Sequence, residues 1–193
     1  MNTKTLVAGA VLALTAVASQ AQDSGFKPVI GVALTGGGKT LLSVQMEDGS
    51  TQRMSSGGVI QLWGGFEFRA PDSPLTIQGN VGYHVDGIGA SNGDASFSRV
   101  PFELLAFWNT DDKFRIGGGV RKATSARFSS SGATDVGDFN MRTNVGFVLQ
   151  GEYFFSPSAS IYLRYVSETY KSNLLTGGEV TGDHGGLGLA LRF

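Results

Sequence analysis

The sequence predicts an all-β chain: an eight-stranded, antiparallel, up-and-down transmembrane β-barrel. Three observations lead there. Apolar and polar residues alternate with period two in eight separate stretches, which is the side-chain period of a strand. The connections between those stretches run long, short, long, short, long, short, long, as a barrel with two unlike ends requires. The polar side of the alternation carries Arg and Glu spaced by glycine, a composition suited to a narrow interior that side chains must fill.

The chain has 193 residues, one domain's worth. Its beginning reads as a secretory leader, residues 1–21. Lys4 gives a positive start, Leu6 to Ala18 an apolar run, and Ser19-Gln20-Ala21 a small-x-small cleavage site. That apolar run is too short to cross roughly 30 Å of hydrocarbon as a helix. Residues 22–193 are then the barrel domain. Removing Lys4 leaves 14 basic against 16 acidic side chains, so no basic excess recommends nucleic acid. Cysteine is absent, which removes disulfides and thiolate metal sites from consideration. Without a membrane helix in the mature chain, entry into a bilayer requires a closed sheet, because open strand edges go unsatisfied in lipid.

The first strand rises from Lys27 with Ile30, Val32 and Leu34 apolar, passes Gly36-Gly37-Gly38 and continues to about Met46. Asp48-Gly49 is a hairpin signal. The return, Thr51 to Arg69, sets Ile60, Leu62, Phe66 and Phe68 on one side, and Pro71 to Pro74 turns it. Strand three, Leu75 to Val85, alternates cleanly and ends in a polar loop containing Ser91 to Asp94. Strand four, Phe97 to Trp108, sets Val100, Phe102, Leu104 and Trp108 against Arg99 and Glu103, and turns at Thr110 to Asp112. Strand five, Phe114 to about Phe128, sets Ile116 and Val120 against Arg115 and Arg121, with Ser129 to Asp138 as a loop. Strand six, Phe139 to Phe155, sets Met141, Val145, Phe147, Leu149 and Tyr153 against Arg142, Gln150 and Glu152. After the turn Ser156 to Ala159, strand seven, Ser160 to Tyr170, sets Ile161, Leu163 and Tyr165 against Arg164 and Glu168. Lys171 to Asp183 is the last long loop. His184 to Phe193 closes the sheet, with Leu187, Leu189, Leu191 and Phe193 on one side and His184 and Arg192 on the other. Trp63, Val148, Phe154 and Val166 fall on the polar side by counting, through bulges or a mixed interior.

A soluble eight-stranded barrel would turn its apolar face inward. Here the polar face holds Glu67, Arg69, Arg99, Glu103, Arg115, Arg121, Arg142, Glu152, Arg164, Glu168 and Arg192, which reads as a charge network filling the lumen. Buried charges must pair. Hairpin geometry puts Glu152 nearly opposite Arg164 and Glu103 diagonal to Arg121, so both pairs are expected to meet inside.

With its leader, eight alternating strands and the ending Gly186 to Phe193, the chain resembles the small OmpA- and OmpX-like barrels of the Gram-negative outer membrane. The resemblance implies that Leu187, Leu189, Leu191 and Phe193 serve as a terminal signal read by the barrel-assembly machinery. It also implies periplasmic chaperones, outer-membrane lipid and lipopolysaccharide as partners. No peptidoglycan-binding domain follows, so cell-wall tethering is not carried over.

Candidate chemistry is thin. Ala33 to Thr40 imitates a phosphate-binding loop, but such a loop needs a following helix, and a rim bend is the plainer reading. His84 and His184, near Asp86 and Asp183, invite a metal or pH-sensitive site, though polar mouth residues are the ordinary alternative. The His-x-Ser pair of a lipid A deacylase is absent, and a charged lumen does not suit an acyl substrate. Trp63, Trp108, Tyr83, Tyr153 and Tyr165 read as interfacial girdle residues rather than stacking platforms. No enzyme activity, cofactor or metal is expected. The predicted role is that of an integral outer-membrane barrel acting in structure and surface contact. A small ion or solute channel, a lipid A-modifying enzyme and a periplasmic lipocalin-like binder are the alternatives.

Overall fold

The computed structural model describes residues 25–45, 51–90, 93–132, 137–172 and 178–193. Its strands are β1 (Phe26–Gly37), β2 (Thr40–Gln45), β3 (Thr51–Ser55), β4 (Ile60–Arg69), β5 (Leu75–Ala90), β6 (Gly93–Asn109) and β7 (Phe114–Ser130). They continue as β8 (Phe139–Thr143), β9 (Gly146–Ser156), β10 (Ala159–Ser167), β11 (Thr169–Lys171), β12 (Glu179–Thr181) and β13 (His184–Arg192). Every pairing is antiparallel. The ring runs β1-β4-β5-β6-β7-β9-β10-β13 and returns to β1, with β8, β11 and β12 extending the wall at the long-loop end. Closure is set by the pairing of β1 with β13, Val29 opposite Arg192 through Gly37 opposite His184. The wall is thus a closed eight-stranded antiparallel barrel, as the alternation predicts, in which each of the eight ring strands is paired on both sides. The leader (residues 1–21) and Asp48-Gly49 lie outside the described residues.

The barrel is inverted relative to a soluble protein. Leu34, Leu62, Phe66, Leu104, Ile116, Phe147, Leu163 and Leu187 are all more than half exposed on the outside. Arg99, Arg121, Gln61, Gln78, His84 and His184 are almost wholly buried. A continuous apolar belt outside and a polar filling inside is the surface pattern of a barrel whose solvent is hydrocarbon.

β5 and β6 run past the expected ends at Val85 and Phe97, to Ala90 and Gly93, and two further places depart from the sequence reading. First, β1 does not run on to Met46. Gly37 and Gly38 take φ of +122° and +77°, which bends the chain out of the wall. β2 and β3 then pair only with each other, as a separate hairpin over the long-loop end, and Gly58 (φ +71°) turns the chain back into β4. Second, β8 and β9 do not share one phase. Met141 is buried and Arg142 exposed, whereas Gly146 is buried and Phe147 exposed, so the alternation slips near Asn144. The facing strand slips too: Thr124 and Ser125 are both exposed, and Ser125 has φ +51°. Because both strands slip together, the pairing is kept, from Arg121 opposite Gly146 to Ala126 opposite Met141.

Trp63, Val148, Phe154 and Val166 are explained by a mixed interior. Bulky inward side chains face glycine on the next strand. Trp63 lies opposite Gly31 and Gly82, Tyr162 opposite Gly188, Phe107 opposite Gly117, and Val148 opposite Gly119. A Cβ at Gly31 would sit 2.4 Å from the Trp63 ring, so the small residue is what admits the large one.

Candidate functional site

The lumen is the only place where chemistry-bearing side chains converge among the described residues. At the short-turn end two arginines and two glutamates form a closed square. Arg115 donates to Glu67 at 3.0 Å and Glu152 at 2.8 Å; Arg192 donates to Glu67 at 3.0 Å and also bonds Glu152. Arg115 also donates to Gln78, and Ser160 donates to Glu152. The Arg115 guanidinium lies 4.1 Å from the Phe107 ring centroid and that of Arg192 4.6 Å from Phe154, so the apolar inward residues cover the flat faces of the cations.

Above the square, Trp63 donates its indole N–H to the Tyr162 hydroxyl at 2.7 Å across the lumen. The upper half is a chain of alternating charge. Arg164 pairs with Glu103 at 2.8 Å, Glu103 with Arg121 at 2.7 Å, Arg121 with Glu168 at 3.0 Å, and Glu168 with Arg99 at 3.5 Å. Arg99 lies against the rings of Phe97 and Tyr170, and Tyr170 donates its hydroxyl to Glu168. Because the β5–β4–β1–β13 wall curves round the lumen, His84 and His184 meet with ring centroids 5.1 Å apart. Arg121 donates to His84 Nδ1, so His84 Nε2–H faces the Thr35 hydroxyl at 2.8 Å; His184 Nδ1–H donates to the Gly182 carbonyl. His84 is thus tied to the charge chain through Arg121, and His184 lies beside Glu168. Among the described residues no group of three His, Cys, Asp or Glu side chains is placed to hold a metal.

The β2–β3 hairpin covers this cluster. Ser56 donates to the Thr181 carbonyl at 2.6 Å, and the Ser55 amide donates to buried Asp86 at 2.8 Å. Met54 is fully buried among Ala95, Phe97, Ala126, Phe128, Met141 and Tyr170. A Cβ at Gly58 would lie 2.5 Å from His84 Nε2, so this turn rests directly on the histidine. The glycine-rich segment after β1 leads into a strand, β2, not a helix, and so has no helix amino-terminus to offer a phosphate.

Most of the charged residues singled out in the sequence lie in the lumen, but two do not. Arg69 is exposed beside the short turn, where its Nε donates to the Ser73 carbonyl. Arg142 is exposed on the outer wall because of the phase slip near Asn144. The expected contact of Glu152 with Arg164 is also absent. A register shift at Ala159 and Ser160 puts Glu152 opposite Tyr162 and Arg164 opposite Gln150. Glu152 takes Arg115, its direct partner across β7 and β9, and Arg164 reaches over to Glu103. Glu103 and Arg121 do meet, in direct register rather than diagonally. Trp63 is inside, while Trp108, Tyr83, Tyr153 and Tyr165 face outward. Leu187, Leu189 and Leu191 also face outward on β13; Phe193, beyond it, is half-buried. Ser160, Tyr162 and Tyr170 are lumen members that alternation alone did not single out; glycine opposite Tyr162 was the available clue.

No family model matches the sequence, and no curated protein matches it. Solved structures do. Ail, the attachment invasion locus protein of Yersinia pestis, aligns with 12% identity over 88% of this chain and 99% of its own, at a TM-score of 0.53. Neisserial surface protein A aligns with 13% identity over 88% and 98%, at 0.51. The chain has the fold of the small eight-stranded outer-membrane β-barrels. In that fold the three short turns, Ala70 to Pro74, Thr110 to Lys113 and Pro157 to Ser158, mark the periplasmic end, and the hairpin marks the extracellular mouth. At these identities the likeness speaks for the outer-membrane barrel fold alone.

Proposed function

We propose that the protein is an integral outer-membrane barrel without enzymatic activity, whose lumen is a structural filling and whose extracellular loops make surface contacts. One observation carries the reading: the charged square, the Trp63–Tyr162 bridge and the five-residue charge chain stack from one end of the lumen to the other, with the hairpin over the mouth. Such a column is expected to block a water-filled path, and removing one member exposes a buried charge. Planar-bilayer recordings of the purified protein are expected to show no steady conductance; a reproducible unit conductance would establish the channel reading instead. That second reading draws on a vestibule of about 500 Å³ at the periplasmic end, lined by Lys27, Asp72, Asp111 and Arg115. The vestibule stops at the Arg115–Glu67–Arg192–Glu152 square, which favours a closed barrel. We further assign Leu187, Leu189 and Leu191, the outward apolar row of the closing strand, and Phe193 just beyond it, to recognition by the assembly machinery. Phe193→Ala is expected to lower the assembled protein several-fold with unchanged synthesis, read by pulse-labelling; normal assembly would remove the assignment.

A further inference from the structure

Above the paired slip the wall reverses its polarity. Ala95, Phe97, Ala126, Phe128, Met141 and Tyr170 are buried on the inside, while Ser96, Arg127 and Asn140 are exposed on the outside. The mouth is therefore lined like the core of a soluble protein, and the side chain that fills it is Met54, from the β2–β3 hairpin. No ring strand pairs with that hairpin. It joins the wall through Gly37 and Gly38 on one side and Gly58 on the other, all at positive φ. Its polar ties to the wall run from Lys39 and Ser56 to Thr181 and from Ser55 to Asp86. An element so lightly held belongs to the low-stability end of a fold and moves as a unit.

Arg99 lies at the base of this apolar mouth, 5.0 Å from the Phe97 ring centroid and 5.5 Å from that of Tyr170. It differs from the other lumen arginines. Arg115, Arg121, Arg164 and Arg192 each donate to a carboxylate. None of the three Arg99 nitrogens has a hydrogen-bond partner among the described residues, although the side chain is wholly buried. Its ion-pair partner Glu168 lies at 3.5 Å and already accepts from Arg121 and Tyr170. Asp86 is committed to the amides of Ser55 and Gly87. The run Arg164–Glu103–Arg121–Glu168–Arg99 holds three cations and two anions, and the excess falls on the residue whose donors are free.

A buried guanidinium with unmade hydrogen bonds is destabilising. Its planar fork matches a carboxylate through two parallel N–H···O bonds. The turn at Gly58 stands over it: a Cβ there would lie 3.3 Å from Arg99 Nη1. Moving the hairpin aside therefore uncovers the two halves of one site, an apolar sleeve vacated by Met54 and a cationic floor vacated by the Gly58 turn.

We propose that the hairpin is a displaceable lid over a binding site for an amphipathic carboxylate with a short apolar tail. The tail takes the place of Met54, and the carboxylate bonds Arg99. Entry from the extracellular side rests on the outer-membrane reading above; the site itself goes beyond that reading. The ligand acts by selecting the open hairpin.

The test uses the full mature chain refolded in phosphatidylcholine vesicles, with octanoate as the probe and octan-1-ol as its uncharged counterpart. The chain has no cysteine, so Met54→Cys supplies a single buried thiol. Octanoate is expected to speed labelling of that thiol by a water-soluble maleimide about tenfold, with saturation, as a shift toward the open state does. Octan-1-ol is expected to leave the rate unchanged. Arg99→Gln in the same background is expected to remove the octanoate effect while the heat-modifiable folded band still forms. Should Arg99→Gln misfold, a crosslink decides instead. Lys39→Cys with Thr181→Cys joins two exposed residues whose backbones are hydrogen-bonded at 3.2 Å. The oxidised form is expected to lose saturable octanoate binding in equilibrium dialysis, and the reduced form to keep it. No saturable acceleration by octanoate, equal acceleration by octan-1-ol, full acceleration in Arg99→Gln, or unchanged binding in the oxidised crosslink would overturn the proposal. Failure of the unsubstituted chain to form a heat-modifiable band would overturn the barrel reading itself, a distinct result.

Discussion

Glu103 shows at the scale of one residue what the lumen demands. Its two oxygens accept from Arg121, Arg164 and Asn80, and it is almost fully buried. Replacing it with leucine leaves two buried guanidiniums short of a partner. Glu103→Leu should therefore lose about 3–5 kcal/mol of folding stability. Arg69→Ala should stay within about 0.5 kcal/mol, because the Arg69 side chain is exposed and its Nε bonds a turn carbonyl. Urea unfolding in lipid vesicles checks both; equal losses would mean that burial does not set the cost. Residue identity told most of this in advance. Arg and Glu recurring on one side of an alternating strand can be reconciled with a lipid environment only by facing inward. Which Glu meets which Arg was not readable, because a one-residue shift at Ala159 and Ser160 re-pairs Glu152 and frees Arg164 for Glu103.

At the scale of elements the informative piece is the β2–β3 hairpin. Period two is the same whether a strand stays in the wall or leaves it, so alternation carried the first strand on past Gly38. The bend resides in backbone angles, which glycine permits without announcing. Gly58 takes positive φ and touches His84, so Gly58→Ala combines strain with a clash against a hydrogen-bonded ring. It should cost about 1–3 kcal/mol and loosen the hairpin. Trypsin cleavage after Arg53 in folded protein is expected to accelerate about tenfold, in keeping with that loss. An unchanged rate would mean that the turn is not what holds the hairpin down. The paired slip at Thr124–Ser125 and near Asn144 follows the same logic: a local dihedral change, invisible in composition, moved Met141 in and Arg142 out.

At the scale of the molecule, topology was the most legible feature. Strand number, direction, alternating connection length and the pairing of the first strand with the last all follow from a chain that must bury its backbone polar groups in a bilayer. The stability of the inverted arrangement is shared between hydrocarbon outside and a paired ion network inside, and each needs the other. The chain contains two tryptophans, and the structure puts them on opposite sides of the wall: Trp63 is buried in the lumen against Tyr162, and Trp108 is exposed on the outer belt. Fluorescence quenching by lipids with brominated acyl chains reads that difference directly, in Trp63→Phe and Trp108→Phe variants that each keep one reporter. Strong quenching of Trp108 with little quenching of Trp63 is the predicted result; strong quenching of Trp63 with Trp108 silent would contradict the orientation of the whole barrel.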